Sequence, residues 1–175
     1  MRAVLSVVLV LVSAVGCVIP SRTLRPDEVI KASNTEAYVV VIADVPDTYT
    51  IAGYLCQDGD LGRCVTVGPQ STVDGLRVYA MPPGRYCITQ LLLQNGMSSL
   101  DMQLERRRYR CFAVDAGAVS YPGHLEVKLK PTQFSSTAAA YRFVAVSGVR
   151  EQVQSAYPTL AEVEFITPLV APVAP

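Results

Sequence analysis

From residue 37 onward the sequence is cut into short β-favouring runs by turn residues, and no other feature limits the fold as tightly. The run 37–43 (AYVVVIA) is continuously apolar, as in a strand buried on both faces, and Asp44-Val45-Pro46-Asp47 ends it. Runs at 49–56 and 63–68 flank the turn 57–62, whose Asp58-Gly59 pair is a hairpin signal. The run 76–81 stops at Pro82-Pro83-Gly84, where Pro83-Gly84 suits the centre of a type II turn, and 85–93 returns as a long strand. A polar crossing, 94–105, leads to 108–114, and Asp115-Ala116-Gly117 turns the chain into 119–121. In 124–130, Leu125, Val127 and Leu129 alternate with Glu126, Lys128 and Lys130, the pattern of a half-buried strand. Residues 134–140 read as a loop and 141–146 as the last strand. Ser147 stands as N-cap of a short helix over 148–156, stopped at Tyr157-Pro158. Seven or eight short strands at this spacing predict a mainly β chain, an antiparallel β-sandwich with one short C-terminal helix. The tail TPLVAPVAP has three prolines in nine residues and suits only disordered or extended chain.

The N-terminus predicts an address. Arg2 is followed by an apolar run over 3–12, then by Ser13-Ala14-Val15-Gly16 and Cys17, the layout of a secretory signal. The run is too short for a spanning helix, which takes about 20 apolar residues. Ala14-Val15-Gly16-Cys17 resembles a bacterial lipobox. The resemblance implies cleavage before Cys17, a diacylglyceryl group on its sulfur, and membrane attachment. Val18 in place of Asp at the next position implies the outer membrane. Two or three acyl chains hold a protein far more firmly than the reversible attachment of one. Residues 17–36 then read as a lipidated tether of about 60 Å if extended, with a turn of helix possible over 26–32. The expected organisation is signal peptide 1–16, tether 17–36, β-sandwich 37–166 and Pro-rich tail 167–175.

A second resemblance lies in the folded part. Met81-Pro-Pro-Gly-Arg-Tyr-Cys-Ile88 and Cys111-Phe-Ala-Val-Asp-Ala-Gly117, continuing to Tyr121-Pro-Gly123, are similar to turn-and-strand segments of bacterial envelope lipoproteins of unassigned function. That likeness, over about residues 37–130, implies a transthyretin-like or carboxypeptidase-regulatory-like sandwich and carries over no catalytic residue.

Composition excludes some classes. Fifteen Lys+Arg balance fifteen Asp+Glu, and half the residues are apolar, which argues against a nucleic-acid binder and against a disordered chain. With Cys17 assigned to lipid, Cys56, Cys64, Cys87 and Cys111 remain, an even number in an exported chain, and four cysteines allow three pairings. Cys56 and Cys64 flank one hairpin turn, and Cys87 and Cys111 lie on two successive long strands, so 56–64 and 87–111 are the expected bonds. Zinc is disfavoured because no C-x-x-C pair exists, and no metal or other cofactor is expected. Asp58 and Asp60 hint at calcium, but Gly62 and Pro69 stand where an EF-hand-like loop needs oxygen ligands.

Arg106, Arg107, Arg108 and Arg110 crowd four guanidiniums into five positions, a candidate patch for phosphate-bearing envelope polymers or a charged edge that discourages strand pairing. His124 is the only histidine, and no G-x-S-x-G elbow occurs. The expected function is therefore non-catalytic: a lipid-anchored envelope module, structural or binding, whose partners are the membrane and another envelope protein or an anionic polymer. An exported hydrolase using His124 or a carboxylate pair is the alternative.

Overall fold

The computed structural model describes residues 19–30, 35–44, 49–70, 75–96, 98–131 and 136–172. Among them the chain forms β1 (Arg22–Thr23), β2 (Ala37–Asp44), β3 (Thr50–Gln57), β4 (Cys64–Gln70), β5 (Leu76–Met81), β6 (Gly84–Asn95) and β7 (Ser98–Gln103). Then follow β8 (Arg110–Val114), β9 (Ala118–Ser120), β10 (His124–Pro131), β11 (Ser136–Val144), helix α1 (Val149–Ala156), β12 (Glu164–Ile166) and β13 (Ala171–Pro172). One sheet runs β1-β5-β2-β10-β11, with β9 also beside β2 and β12 beside β9; the other runs β13-β8-β6-β3-β4, with β7 beside β6. The architecture is a mainly β sandwich with one short helix, as the spacing of strands and turns predicts.

Two apolar layers hold it. Between the sheets lie Val39, Leu125 and Val127 from the first and Ile51, Leu55, Leu91, Leu93 and Phe112 from the second. Phe112 meets Phe143 edge-on at 6.0 Å, a favoured ring geometry. On the outer side of the first sheet, Tyr38, Val40, Val78 and Val119 pack under Val149, Val153, Tyr157 and Leu160. Val149 and Val153 are one helical turn apart, so a single face of α1 closes this layer. The double cover explains the unbroken apolar run of β2: Val39 and Val40 point to opposite faces, yet both are fully buried.

The first sheet is mixed rather than antiparallel throughout. The N-terminal half of β2 pairs parallel with β9 (Tyr38↔Val119), and its C-terminal half pairs parallel with β10 (His124↔Ile42). Tyr121-Pro122-Gly123 separates the two: Pro122 has no N–H to continue a ladder, and Gly123 takes φ 116. A Cβ on Gly123 would stand 2.9 Å from the Val144 carbonyl oxygen, so only glycine lets β11 come this close.

Several local expectations change. Residues 98–103, expected within a polar crossing, form β7, which pairs with β6 from Asn95↔Ser98 onward, just past Gly96 at φ 55. Pro82-Pro83-Gly84 is no type II turn: Gly84 has φ 155, already opens β6, and carries the chain from one sheet to the other. Of the loop expected at 134–140, residues 134–135 lie outside the described residues, and from Ser136 the chain is strand. Gly148 caps α1 in a left-handed conformation, and Ser147 is not the cap.

Both ends of the described chain are tied down. Ile19 and Leu24 are buried, β1 pairs with β5, and the Leu24 amide donates to the Val78 carbonyl oxygen at 2.8 Å. Arg22 pairs with Glu28 and, at 3.3 Å, with Glu36. Residues 19–30 are therefore docked chain rather than the free tether expected of 17–36, because three apolar residues (Ile19, Leu24, Ile30) give the segment something to bury. Over its described residues, 167–172, the tail takes the extended alternative: after β12 on the first sheet, β13 crosses to the second as an edge strand, where Pro172 is tolerated.

Candidate functional site

The chemistry-bearing residues that the fold brings together are the four cysteines. Leu55, Ile88 and Phe112 face the space between the sheets, so the alternation of strands turns their neighbours Cys56, Cys87 and Cys111 outward. Register then aligns them: Cys56 is opposite Cys64, Cys56 is opposite Cys87, and Cys87 is opposite Cys111. Four sulfurs thus form one transverse row over β4, β3, β6 and β8. Ala171 of β13, opposite Cys111, ends the row on that side.

The bonds are Cys56–Cys64 and Cys87–Cys111, the pairing expected from the hairpin and the successive long strands. The second closes a separation of 24 residues, worth about 3 kcal/mol in chain entropy.

The row is covered unevenly. Residues 104–109 fold back over it: the Leu104 amide donates to the Thr89 carbonyl oxygen at 2.9 Å, and Leu104 and Tyr109 are buried. The Tyr109 ring and the Cys87 sulfur approach Gly59 from the same side, 3.3 and 3.9 Å from where its Cβ would be. Thr89 is fully buried, and its hydroxyl lies 2.9 Å from Cys56 Sγ. A disulfide sulfur has no proton to give, so the hydroxyl is the donor. Cys56, Cys87 and Cys111 are buried, whereas Cys64, at the β4 edge, is partly exposed.

Three of the arginines sit on this cover and the fourth, Arg110, opens β8. Arg106, Arg107 and Arg108 form one 3₁₀ turn, whose three residues per turn splay successive side chains about 120° apart. Arg107 pairs with Glu105 at 2.6 Å, and Arg110 turns back to donate to the Tyr109 carbonyl oxygen at 3.0 Å. The Tyr141 hydroxyl of β11 donates to the Arg108 carbonyl oxygen, tying the cover to the opposite sheet. Burial pushes the Tyr141 hydroxyl up to about 12, against the opposing pull of Arg110 and Arg108.

His124 lies on the other sheet, with its ring edge-on to Tyr121 at 5.9 Å. Burial lowers its pKa from 6.5, and Asp44 and Glu126 pull the other way. Glu126 is engaged by Arg142 at 2.8 Å. Nε2 of His124 is buried without a hydrogen-bond partner among the described residues. Asp60 accepts from the Gly62 amide at 2.9 Å, an Asx turn stiffening the hairpin tip. No group of three metal-binding side chains occurs among the described residues.

Cys17 lies outside the described residues. Among those described, no helix is long and apolar enough to cross a membrane. Sequence reasoning found the four cysteines and their bonds but missed their alignment, and with it Thr89, Leu104, Tyr109 and Tyr141. Asn95-Gly96, a hairpin signal in its own right, could have placed β7 and so the cover that follows it.

No family model, no curated protein and no solved structure matches this chain.

Proposed function

We propose that this chain is a lipid-anchored protein of the bacterial cell envelope, attached through Cys17 to the outer membrane. Its β-sandwich acts by contact, as a structural or binding module without catalysis. The observation that carries this reading is the pair of disulfides across four neighbouring strands. Such bonds persist in oxidising compartments outside the cytosol, which is where the charged start, apolar run and Ala14-Val15-Gly16-Cys17 would send the chain.

The docked segment gives this reading a geometry. Two residues span about 7 Å at most, so a lipid on Cys17 lies close to Ile19, which is packed into the domain. The anchored sandwich therefore rides against the head groups on the end where β2 begins and β5 finishes, with its remaining surfaces free for an envelope protein or an anionic polymer.

The test is the mass of the N-terminal peptide from protein made in its own host, beside a Cys17→Ser variant. A peptide beginning at Cys17 with two or three acyl chains, lost in the variant, is the expected result. An unmodified N-terminus or cleavage elsewhere overturns the reading. Envelope crosslinking then identifies the partner, and salt-sensitive retention on an anionic polymer, weakened by Arg106→Ala with Arg107→Ala, would assign that partner class.

A further inference from the structure

The cysteine row carries a chemistry beyond that of two structural clamps. Backbone groups alternate in direction along a strand. The Gln57 amide donates to the Arg63 carbonyl oxygen across to β4, and the Asp58 amide donates to the Arg85 carbonyl oxygen across to β6. By that alternation Cys56 directs its backbone groups away from Cys64 and toward Cys87. Cys56 and Cys64 are thus a non-hydrogen-bonded pair, with Cα atoms 3.9 Å apart, and Cys56 and Cys87 are a hydrogen-bonded pair. Such pairs have Cα atoms about 5.5 Å apart, within the range a disulfide spans. The register therefore allows a third bond, Cys56–Cys87, without moving a strand.

We propose that the row is a thiol–disulfide exchange site, taking a small thiol or a dithiol oxidoreductase at Cys64 and passing the exchange inward. Cys64 is the partly exposed residue of the row, at the open edge, its sulfur 3.3 Å from the Leu61 carbonyl oxygen; Cys111 is buried beside β13 at the other end. An external thiolate attacks Cys64, the Cys56–Cys64 bond breaks, and the thiol's sulfur becomes bonded to Cys64. The electron pair leaves on Cys56 as thiolate. The Thr89 hydroxyl, already 2.9 Å from that sulfur, stabilises the negative charge and so favours Cys56 as leaving group. The Cys56 thiolate then attacks Cys87 from the side opposite Cys111, as an in-line displacement requires and as the straight row provides. Cys56–Cys87 forms, Cys87–Cys111 breaks, and the electron pair leaves on Cys111. The disulfide count is conserved, and the one external thiol has been exchanged for the buried thiolate of Cys111. The Tyr109 cover excludes direct attack on the inner sulfurs, which gives the exchange a direction.

The test uses the oxidised full chain, incubated without denaturant with millimolar reduced glutathione at pH 8, acid-quenched, alkylated and digested without reduction for peptide mass mapping. The Cys17 peptide is recognised by its own mass. The expected products are glutathione on Cys64, a Cys56–Cys87 linked peptide and alkylated Cys111. Glutathione on Cys64 with Cys56 alkylated and Cys87–Cys111 intact at every time point overturns the proposal, as does failure of either bond to open. Cys64→Ala makes Cys56 a permanent thiol. Its folded form, checked by circular dichroism, should hold a measurable fraction of Cys56–Cys87 beside Cys87–Cys111. Complete retention of Cys87–Cys111 in that folded variant refutes the relay, and a variant that fails to fold leaves the decision with the wild-type mapping.

Discussion

Replacing Leu24 with Ala tests whether residues 19–30 are held as a separately releasable strap. Leu24 is 2% exposed and packs with Tyr38, Val40 and Val78 on the outer side of the first sheet. Around it the segment has only the two-residue pairing of β1, one further amide bond to Val78, and the exposed ion pairs of Arg22. Exposed pairs contribute little, so the apolar anchors carry the docking. Removing the Leu24 side chain takes away about 2–3 kcal/mol. Segments with so few ties open locally, below the free energy of global unfolding. The undocked population should therefore rise about 30- to 150-fold. Hydrogen exchange reads this directly: the Leu24 amide should exchange faster by that factor, while the Cys87 and Phe112 amides between β6 and its neighbours change far less. Val29→Ala, at a position 78% exposed, is the control and should shift stability by under about 0.5 kcal/mol. Unchanged exchange at Leu24, or equal acceleration at Leu24 and Phe112, would refute the reasoning, the second by showing that strap and sandwich open as one unit.

Tyr141→Phe removes the hydroxyl bonded to the Arg108 carbonyl oxygen and should cost about 1 kcal/mol in urea unfolding. Because the folded Tyr141 pKa, about 12, lies above its ordinary 10.0, its contribution is full below pH 10 and is lost as pH rises through 12. The variant should therefore lack the last step of tyrosine ionisation seen by absorbance, and an unchanged titration curve would count against the assignment. His124 titrates in the opposite sense: with its folded pKa below 6.5, the unfolded chain binds more protons as pH falls from 6.5, so stability is full above 6.5 and declines below it. His124→Gln should flatten the fall in the urea midpoint between pH 7.5 and 5.5, and parallel curves would refute the burial argument. Gly68 has φ 120, and a Cβ there would stand 2.6 Å from Ala52 Cα and 2.8 Å from the Ile51 carbonyl oxygen. Gly68→Ala should cost more than about 3 kcal/mol, against about 1 kcal/mol for Gly75→Ala, where only the backbone angle resists; equal losses in thermal unfolding would show that β4 relaxes at Gly68, where its register with β3 shifts between Ile51 and Gly53.

What was legible in the sequence follows from how local each signal is. Leu125 and Val127 alternate with polar neighbours because one face of β10 meets the core, and that strand could be read residue by residue. In β6 the same reading fails. Tyr86 and Ile88 face inward, and so do Leu91 and Leu93, because the register with β3 shifts between Tyr54 and Leu55 and leaves Thr89 as an extra residue. Such a bulge reverses the alternation midway, and it is what aims the Thr89 hydroxyl at Cys56. The parallel pairing of β2 with both β9 and β10, and the docking of residues 19–30, depend on surfaces that exist only once the first sheet has formed. No local pattern could announce them.

The cysteines show the same boundary between local and assembled information. Cys56 and Cys64 sit symmetrically about a hairpin tip, and Cys87 and Cys111 fall on strands that an antiparallel sheet makes neighbours, so each bond is readable from its own two strands. Their common line is not, because it depends on the third pairing, β3 with β6, and on register holding to the residue across four strands. A one-residue slip in β3 would turn Cys56 inward and separate the two disulfides. The bulge at Thr89 lies just beyond the row and takes up the mismatch in β6, so register below it stays fixed while the longer strand remains in the core. The feature that sequence reading missed is therefore the one on which any chemistry of the row depends. A Thr89 deletion, which would join Ile88 to Gln90 opposite the adjacent Leu55 and Tyr54 and restore plain alternation to β6, should leave Cys87 opposite Cys56 and keep the Cys56–Cys87 linkage within reach. The two original bonds should survive with it, since Cys87↔Cys111 lies on the same side of the bulge, and loss of either bond in the disulfide map of that variant would refute a row set by register.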